Sequence, residues 1–145
     1  MPAVHGILLR VVPATIRAMV ENEFQRKGFQ VLMTNTEIAE TYFEAYRSRD
    51  LTKALLAPDV TMQHAVLAVK LVGKDSVIDY MFALMNGLDD FTIERHLADG
   101  EFVTTIWDAH TVWGSVPVCS VFRISGGVIR EVRAFFDPRP ILRES

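Results

Sequence analysis

Three side chains in this sequence have the chemistry to move a proton and positions that could bring them together: Tyr42, His64 and Asp108. Strict alternation along Glu101 to Trp113 puts Phe102, Thr104, Ile106, Asp108, His110 and Val112 on one strand face, and Val103, Thr105, Trp107, Ala109, Thr111 and Trp113 on the other. If the first set lines a cavity, Asp108 and His110 are ionisable groups in an apolar lining, where desolvation moves pKa values by units. His64 lies on DVTMQHAVL, where Val60, Met62 and Val66 share its face. Burial would push it toward neutrality, while a nearby carboxylate such as Asp108 would resist that and fix its tautomer. A neutral, oriented imidazole is a competent general base near neutral pH. Either His64 or Asp108 is then the proton carrier.

A core reading competes for each of these residues. A lone His on an apolar strand is commonly satisfied by backbone, and a Tyr can pack with its hydroxyl at a helix surface. Asp108 is the least comfortable as core, because a buried carboxylate is costly. Asp108 and His110 at i, i+2 could pin a metal from one strand face, but no third ligand stands in evident position and no metal site is expected.

The elements that must position these groups are marked along the chain. Thr34 with Glu37 forms a capping box, and Ile38, Ala39, Tyr42, Phe43 and Tyr46 recur at helical spacing as far as Arg49. Leu51 to Ala57 reads as a second short helix ended by Pro58, and Asp59 to Leu67 as a strand. Gly73 opens a third helix, whose stripe of Val77, Ile78, Met81, Phe82, Leu84, Met85 and Leu88 predicts that it is largely buried. Phe91 to Ala98, the turn Asp99-Gly100 and Glu101 to Trp113 form a meander.

Val116 to Pro140 is one long hairpin about Ser125-Gly126-Gly127. Val116, Val118, Ser120, Phe122 and Ile124 share one face of its first strand, and Val128, Arg130, Val132, Ala134 and Phe136 one face of its second. The order of elements predicts an α+β fold: a strongly curved, largely antiparallel (mixed) sheet wrapped around three helices of the N-terminal half, forming a cone with a pocket at its mouth.

A chain of 145 residues, half of them hydrophobic, suffices for a single core. The net charge of −3, with no run of Lys or Arg, argues against nucleic acid and against a polybasic membrane patch. The apolar run His5 to Val12 is broken by Arg10 and stopped by Pro13, too short to span a membrane. One cysteine, Cys119, cannot form an internal disulfide, which fits a reducing, cytoplasmic setting. Residues 1–32 read as an accessory arm, or as sequence ahead of a true start at Met33; residues 33–145 form the domain.

The strand DVTMQHAV, the run LADGEFVTTIWDAH and the hairpin VCSVFRISGGVIREVRAFFD resemble the nuclear transport factor 2-like superfamily in its SnoaL-like branch, over Thr34 to about Pro140. That branch is similar to polyketide cyclases, ketosteroid isomerases and limonene epoxide hydrolases. Likeness to the isomerases puts the oxyanion-donating tyrosine on Tyr42, the proton-moving acid on His64 and the second oxyanion donor on Ser120. Likeness to the epoxide hydrolases puts one acid on Asp108, but their arginine falls on Ile106 and their other acid on Ala134; among cyclase-like candidates Asp108 is the nearest acid.

The resemblance implies a cofactor-free enzyme of isomerase or cyclase type that moves a proton on a hydrophobic carbonyl compound. The alternatives are a non-catalytic ligand-binding or dimerisation module, or a hydrolase or lyase. With Asp108 facing the cavity, the expected substrate contacts are Met62, Ile106, His110, Val118, Ser120, Phe122, Val132, Ala134 and Phe136. The outer face, with Val103, Trp107, Trp113, Val121 and Phe135, is then apolar enough to predict a homodimer through the sheets.

Overall fold

The computed structural model describes residues 33–67 and 70–142, so the expected arm, residues 1–32, lies outside the described residues. The chain divides after Thr34, and the compact unit that begins at Asn35 holds all the described helices and strands.

Helix α1 (Asn35–Ser48) buries Ile38, Ala39, Tyr42, Phe43, Ala45 and Tyr46, the i, i+3/i+4 stripe that its sequence demands. It ends in a Schellman motif. The Asp50 amide donates to the Ala45 carbonyl and the Arg49 amide to the Tyr46 carbonyl, and Arg49 takes the left-handed conformation (φ 56°) that glycine usually fills. Phe43 then sits at the centre of an aromatic cluster, 5.3 Å from Trp107, 5.7 Å from Phe91 and 5.8 Å from Phe122, centroid to centroid. The edge-to-face pairs with Trp107 and Phe122 add about 0.5–1.5 kcal/mol each beyond their area, so α1 is locked to the sheet at this point.

The second helix expected over Leu51 to Ala57 is only a 3₁₀ turn, Leu51–Lys53, capped by the Asp50 carboxylate. Strand β1 (Leu56–His64) claims the rest of that stretch. Pairing overrides the helical pattern, because the Ile129 amide donates to the Leu55 carbonyl and Leu56 pairs with Ile129. Pro58 does not stop the strand; it sits where the register shifts between Leu56 and Thr61, and there its missing donor costs no ladder bond.

The two-residue strand β2 (Leu71–Val72) leads through Gly73 into helix α2 (Lys74–Gly87). Only the row Val77, Met81 and Met85 is buried, so the wide buried stripe is corrected. Phe82 is 55% exposed, on the side of α2 turned away from the sheet. No helix among the described residues is long and apolar enough to cross a membrane.

Strands β3 (Leu88–Asp99), β4 (Phe102–Thr111), β5 (Gly114–Ser125) and β6 (Val128–Phe135) complete a six-stranded sheet. Its order is β2-β1-β6-β5-β4-β3, with β1 and β6 parallel and every other pair antiparallel. A four-residue helix, α3 (Arg139–Leu142), follows. This is the curved, mixed α+β sheet of a cone, built among the described residues on two long helices where three were expected.

The β5–β6 turn has Gly126 and Gly127 both left-handed (φ 62° and 78°), as a two-residue hairpin loop requires. On β5 the expected inner face is the observed one, with Val116, Val118, Ser120, Phe122 and Ile124 all buried. On β6 the alternation breaks. Arg123 pairs with Glu131 but Ile124 with Ile129, which leaves Arg130 as the extra residue of a bulge. Ile129 and Val132 therefore both point inward. Arg130 instead reaches Asp59 and the Ser125 carbonyl, and neither Val128 nor Arg130 joins the inner face as expected.

The face assignment of β4 is reversed. Val103, Thr105 and Ala109 are buried and pair with Phe122, Ser120 and Val116, so the second alternating set faces the helices. Ile106, Asp108 and His110 consequently lie on the outer face, and Val103, Trp107 and Trp113 leave the proposed dimer surface. Transferring Trp107 inward instead of Asp108 spares the cost of a desolvated carboxylate.

Candidate functional site

The sheet and helices line a half-open cavity of about 200 Å³. From α1 it receives Tyr42 and Tyr46, which their i, i+4 spacing puts on one helical face, and from β1 His64. The end of α2 contributes Leu84 and Gly87. The sheet supplies Trp107 and Ala109 from β4, Val118 and Ser120 from β5 and Ala134 from β6, with Phe136 just beyond its end. No Asp, Glu, Lys or Arg among the described residues lines the cavity.

The polar groups from α1, β1 and β5 in this apolar space have defined states. The hydroxyls of Tyr42 and Tyr46 are 3.2 Å apart. Burial pushes the Tyr42 phenol up to about 12 and that of Tyr46 well above its ordinary value, so both remain protonated. One hydroxyl donates to the other, which leaves the pair a single O–H free to donate to a ligand. Tyr42 is further fixed edge-on against Phe122, at 5.1 Å.

His64 Nδ1 lies 3.1 Å from the Tyr80 hydroxyl of α2, and its ring is held edge-on by Phe136 at 4.7 Å. Burial lowers its pKa to about 4, so the imidazole is neutral at pH 7. Trp107 Nε1–H donates to Ser120 Oγ at 3.0 Å, so the Ser120 hydroxyl proton can itself be donated. The arrangement therefore holds a neutral imidazole, a tyrosine pair and a serine hydroxyl in a water-poor lining: groups for proton transfer and for stabilising charge on an oxygen, with no fixed charge among them.

Of the residues expected at the site, Tyr42, His64, Val118, Ser120, Ala134 and Phe136 are brought together here. Met62, Phe122 and Val132 share the inner face but lie fully buried beneath the cavity without lining it. Ile106, Asp108 and His110 are on the other side of the sheet. Asp108 stands across from Thr92 and Pro117, and His110 bonds Thr92 Oγ1 and Ser115 Oγ, each at 3.0 Å. Asp108 is thus not the group that orients His64; Tyr80 is. The sequence reading also missed Tyr46, Trp107 and Trp113 as cavity residues. A signal existed for Tyr46 in its spacing from Tyr42, and for Trp107 in the greater apolar content of its strand face.

The SnoaL-like domain family matches residues 39–132. No curated protein matches the sequence. Among solved structures the fold is similar to a nuclear transport factor 2-like protein from Cytophaga hutchinsonii, with TM-score 0.66 and 16% identity over 75% of this chain and 95% of that one. It is similar to a steroid delta-isomerase from Pseudomonas aeruginosa, with TM-score 0.65 and 20% identity over 75% and 83%. A candidate SnoaL-like polyketide cyclase from Jannaschia sp. CCS1 gives TM-score 0.64 and 17% identity over 74% and 88%. At these identities the likeness shows a shared fold.

Proposed function

The chain belongs to the SnoaL-like domain family, and on that premise we propose that its cavity takes a small, mostly apolar carbonyl compound and moves a proton beside the carbonyl. His64 is the base and Tyr42, backed by Tyr46, the oxyanion donor. The observation that carries this is that a neutral imidazole and a paired phenol line one apolar cavity with no Asp, Glu, Lys or Arg among its described lining residues. Similarity of fold to a steroid delta-isomerase and to a candidate polyketide cyclase supports the reaction class.

In this scheme Nδ1–H donates to the Tyr80 oxygen, leaving the Nε2 lone pair to take a proton from the carbon next to the carbonyl. The C–H electron pair moves into the C–C bond and the carbonyl pair onto oxygen, where the free tyrosine O–H, with Ser120 as lesser help, meets the growing charge. The imidazolium then returns its proton to the same or a conjugated carbon. Its low pKa makes the return fast and the abstraction dependent on the oxyanion donor, and the chemistry needs no cofactor.

The test is exchange of α-hydrogens of simple aryl ketones in D₂O, followed by proton NMR. Acceleration that disappears in His64→Ala is expected; no acceleration over buffer by the wild type would overturn the enzymatic reading.

A second reading, a ligand-binding module without turnover, is favoured by the lack of any carboxylate among the described lining residues. It predicts that the same ketones bind without exchange. The epoxide-hydrolase reading has no support in the cavity, where Ala134 stands in place of an acid and Asp108 is outside. A homodimer through the outer sheet face, and a cytoplasmic setting consistent with the lone Cys119, belong to the same proposal.

A further inference from the structure

Trp113 occupies an unusual place at the cavity. It stands in the two-residue tip between β4 and β5, where the Thr111 hydroxyl donates to the Gly114 carbonyl and accepts from the Trp113 amide. The tip is tied to the end of α2 by the Val112 amide, which donates to the Gly87 carbonyl. The indole lies so close over Gly87 that a Cβ there would be 3.0 Å from Cζ3 and 3.2 Å from Cη2. It lines the cavity on one side and is 40% exposed on the other. Trp113 is therefore a roof over the mouth, and the absence of a side chain at Gly87 lets it lie down.

The space beneath this roof is small. A cavity of roughly 150 Å³ takes a benzene, so about 200 Å³ holds one ring with a short substituent; a four-ring skeleton would have to extend out through the mouth, past the indole. The described lining also has no charged residue, and an ionised group brought into it would lose its water with no ionic partner in return.

Resting on the carbonyl-ligand reading above, we propose that Trp113 is the size filter of this cavity and that its ligand is an uncharged carbonyl compound of about one ring. The polar end of such a ligand meets the Tyr42–Tyr46 pair, and its ring fills the space bounded by Trp107, Phe136 and Trp113.

Three probes test this by calorimetry and saturation-transfer NMR on the full chain: propiophenone, its charged counterpart 4-acetylbenzoate, and the four-ring ketone progesterone. The wild type is expected to bind propiophenone at least about tenfold more tightly than either of the others. Trp113→Ala should gain at least about tenfold for progesterone and nothing for 4-acetylbenzoate. Gly87→Ala, which displaces the indole by only a few tenths of an ångström, should move progesterone in the same direction by much less, and thermal melts establish that both variants are folded. Equal binding of propiophenone and progesterone by the wild type overturns the filter, as does continued exclusion of progesterone by folded Trp113→Ala. Equal binding of 4-acetylbenzoate overturns the uncharged class. If none of the three probes binds the wild type, the carbonyl-ligand reading falls and takes this inference with it, whereas propiophenone binding without discrimination sinks the inference alone.

Discussion

The Tyr80 hydroxyl lies 3.1 Å from Nδ1 of His64, a bond that joins the middle of α2 to the last residue of β1 and fixes how the imidazole faces the cavity. Tyr80→Phe removes that anchor and keeps the ring. It should lower α-hydrogen exchange about tenfold with little change in ketone affinity, because the bond acts on the orientation of the base. His64→Ala should cost ~10²–10⁴-fold, the range of a general base. Rates and affinities measured on the same ketone separate the two effects.

His64 also makes stability depend on pH. Its pKa drops from 6.5 to about 4 on folding through burial, so between these values the unfolded chain binds the proton that the folded chain refuses. Stability therefore falls as pH is lowered from 6.5 toward 4, by about 3 kcal/mol at most. Melting curves across this range should show a shallower acid loss in His64→Ala than in the wild type.

Asp108→Asn should leave exchange within about twofold of wild type and stability within about 0.5 kcal/mol, since the residue stands on the outer sheet face away from the cavity. A large loss of rate in this variant would put a carboxylate back into the mechanism.

The contrast between β4 and β5 shows what could be read from sequence. On β5 one face is almost wholly apolar and the double-glycine turn sets the register, so five inner residues were legible. On β4 both faces carry an aromatic residue and a threonine, and alternation alone cannot say which faces inward. The deciding term was physical: a carboxylate inside costs more than a tryptophan outside. Pro58 was misread for a related reason, because a stop signal for a helix is also tolerated at a strand bulge, and only the distant partner β6 distinguishes the two. Tyr80 carried no signal at all, since its role arises from packing of α2 across β1.

Arg49→Gly should stabilise the fold by about 0.5–1 kcal/mol. Arg49 holds a left-handed conformation at the end of α1 (φ 56°), which costs a residue with a Cβ more than it costs glycine, while the Schellman bonds use only backbone. Urea denaturation at pH 7 measures the difference.

The outer sheet face, once Trp107 and Trp113 are assigned inside, still presents Phe102, Val121 and Phe135 (49% exposed), with Ile106 across Cys119 from Phe135. A second copy of the chain is its expected occupant. Sedimentation at micromolar concentration should give a dimer for the wild type and a monomer for Phe135→Glu, with the melting temperature of the subunit core retained.

The parallel pairing of β1 with β6 has a consequence for how the protein is made. His64 lies beside Ala134, about seventy residues later in the chain, and both line the cavity. During synthesis β1 emerges long before its partner exists, and its apolar inner row of Val60 and Met62 must wait uncovered by that neighbour until the final hairpin leaves the ribosome. The last strand is therefore the closing step for both sheet and cavity. Nascent chains arrested after β5 should remain protease-sensitive, and those that include β6 should become resistant.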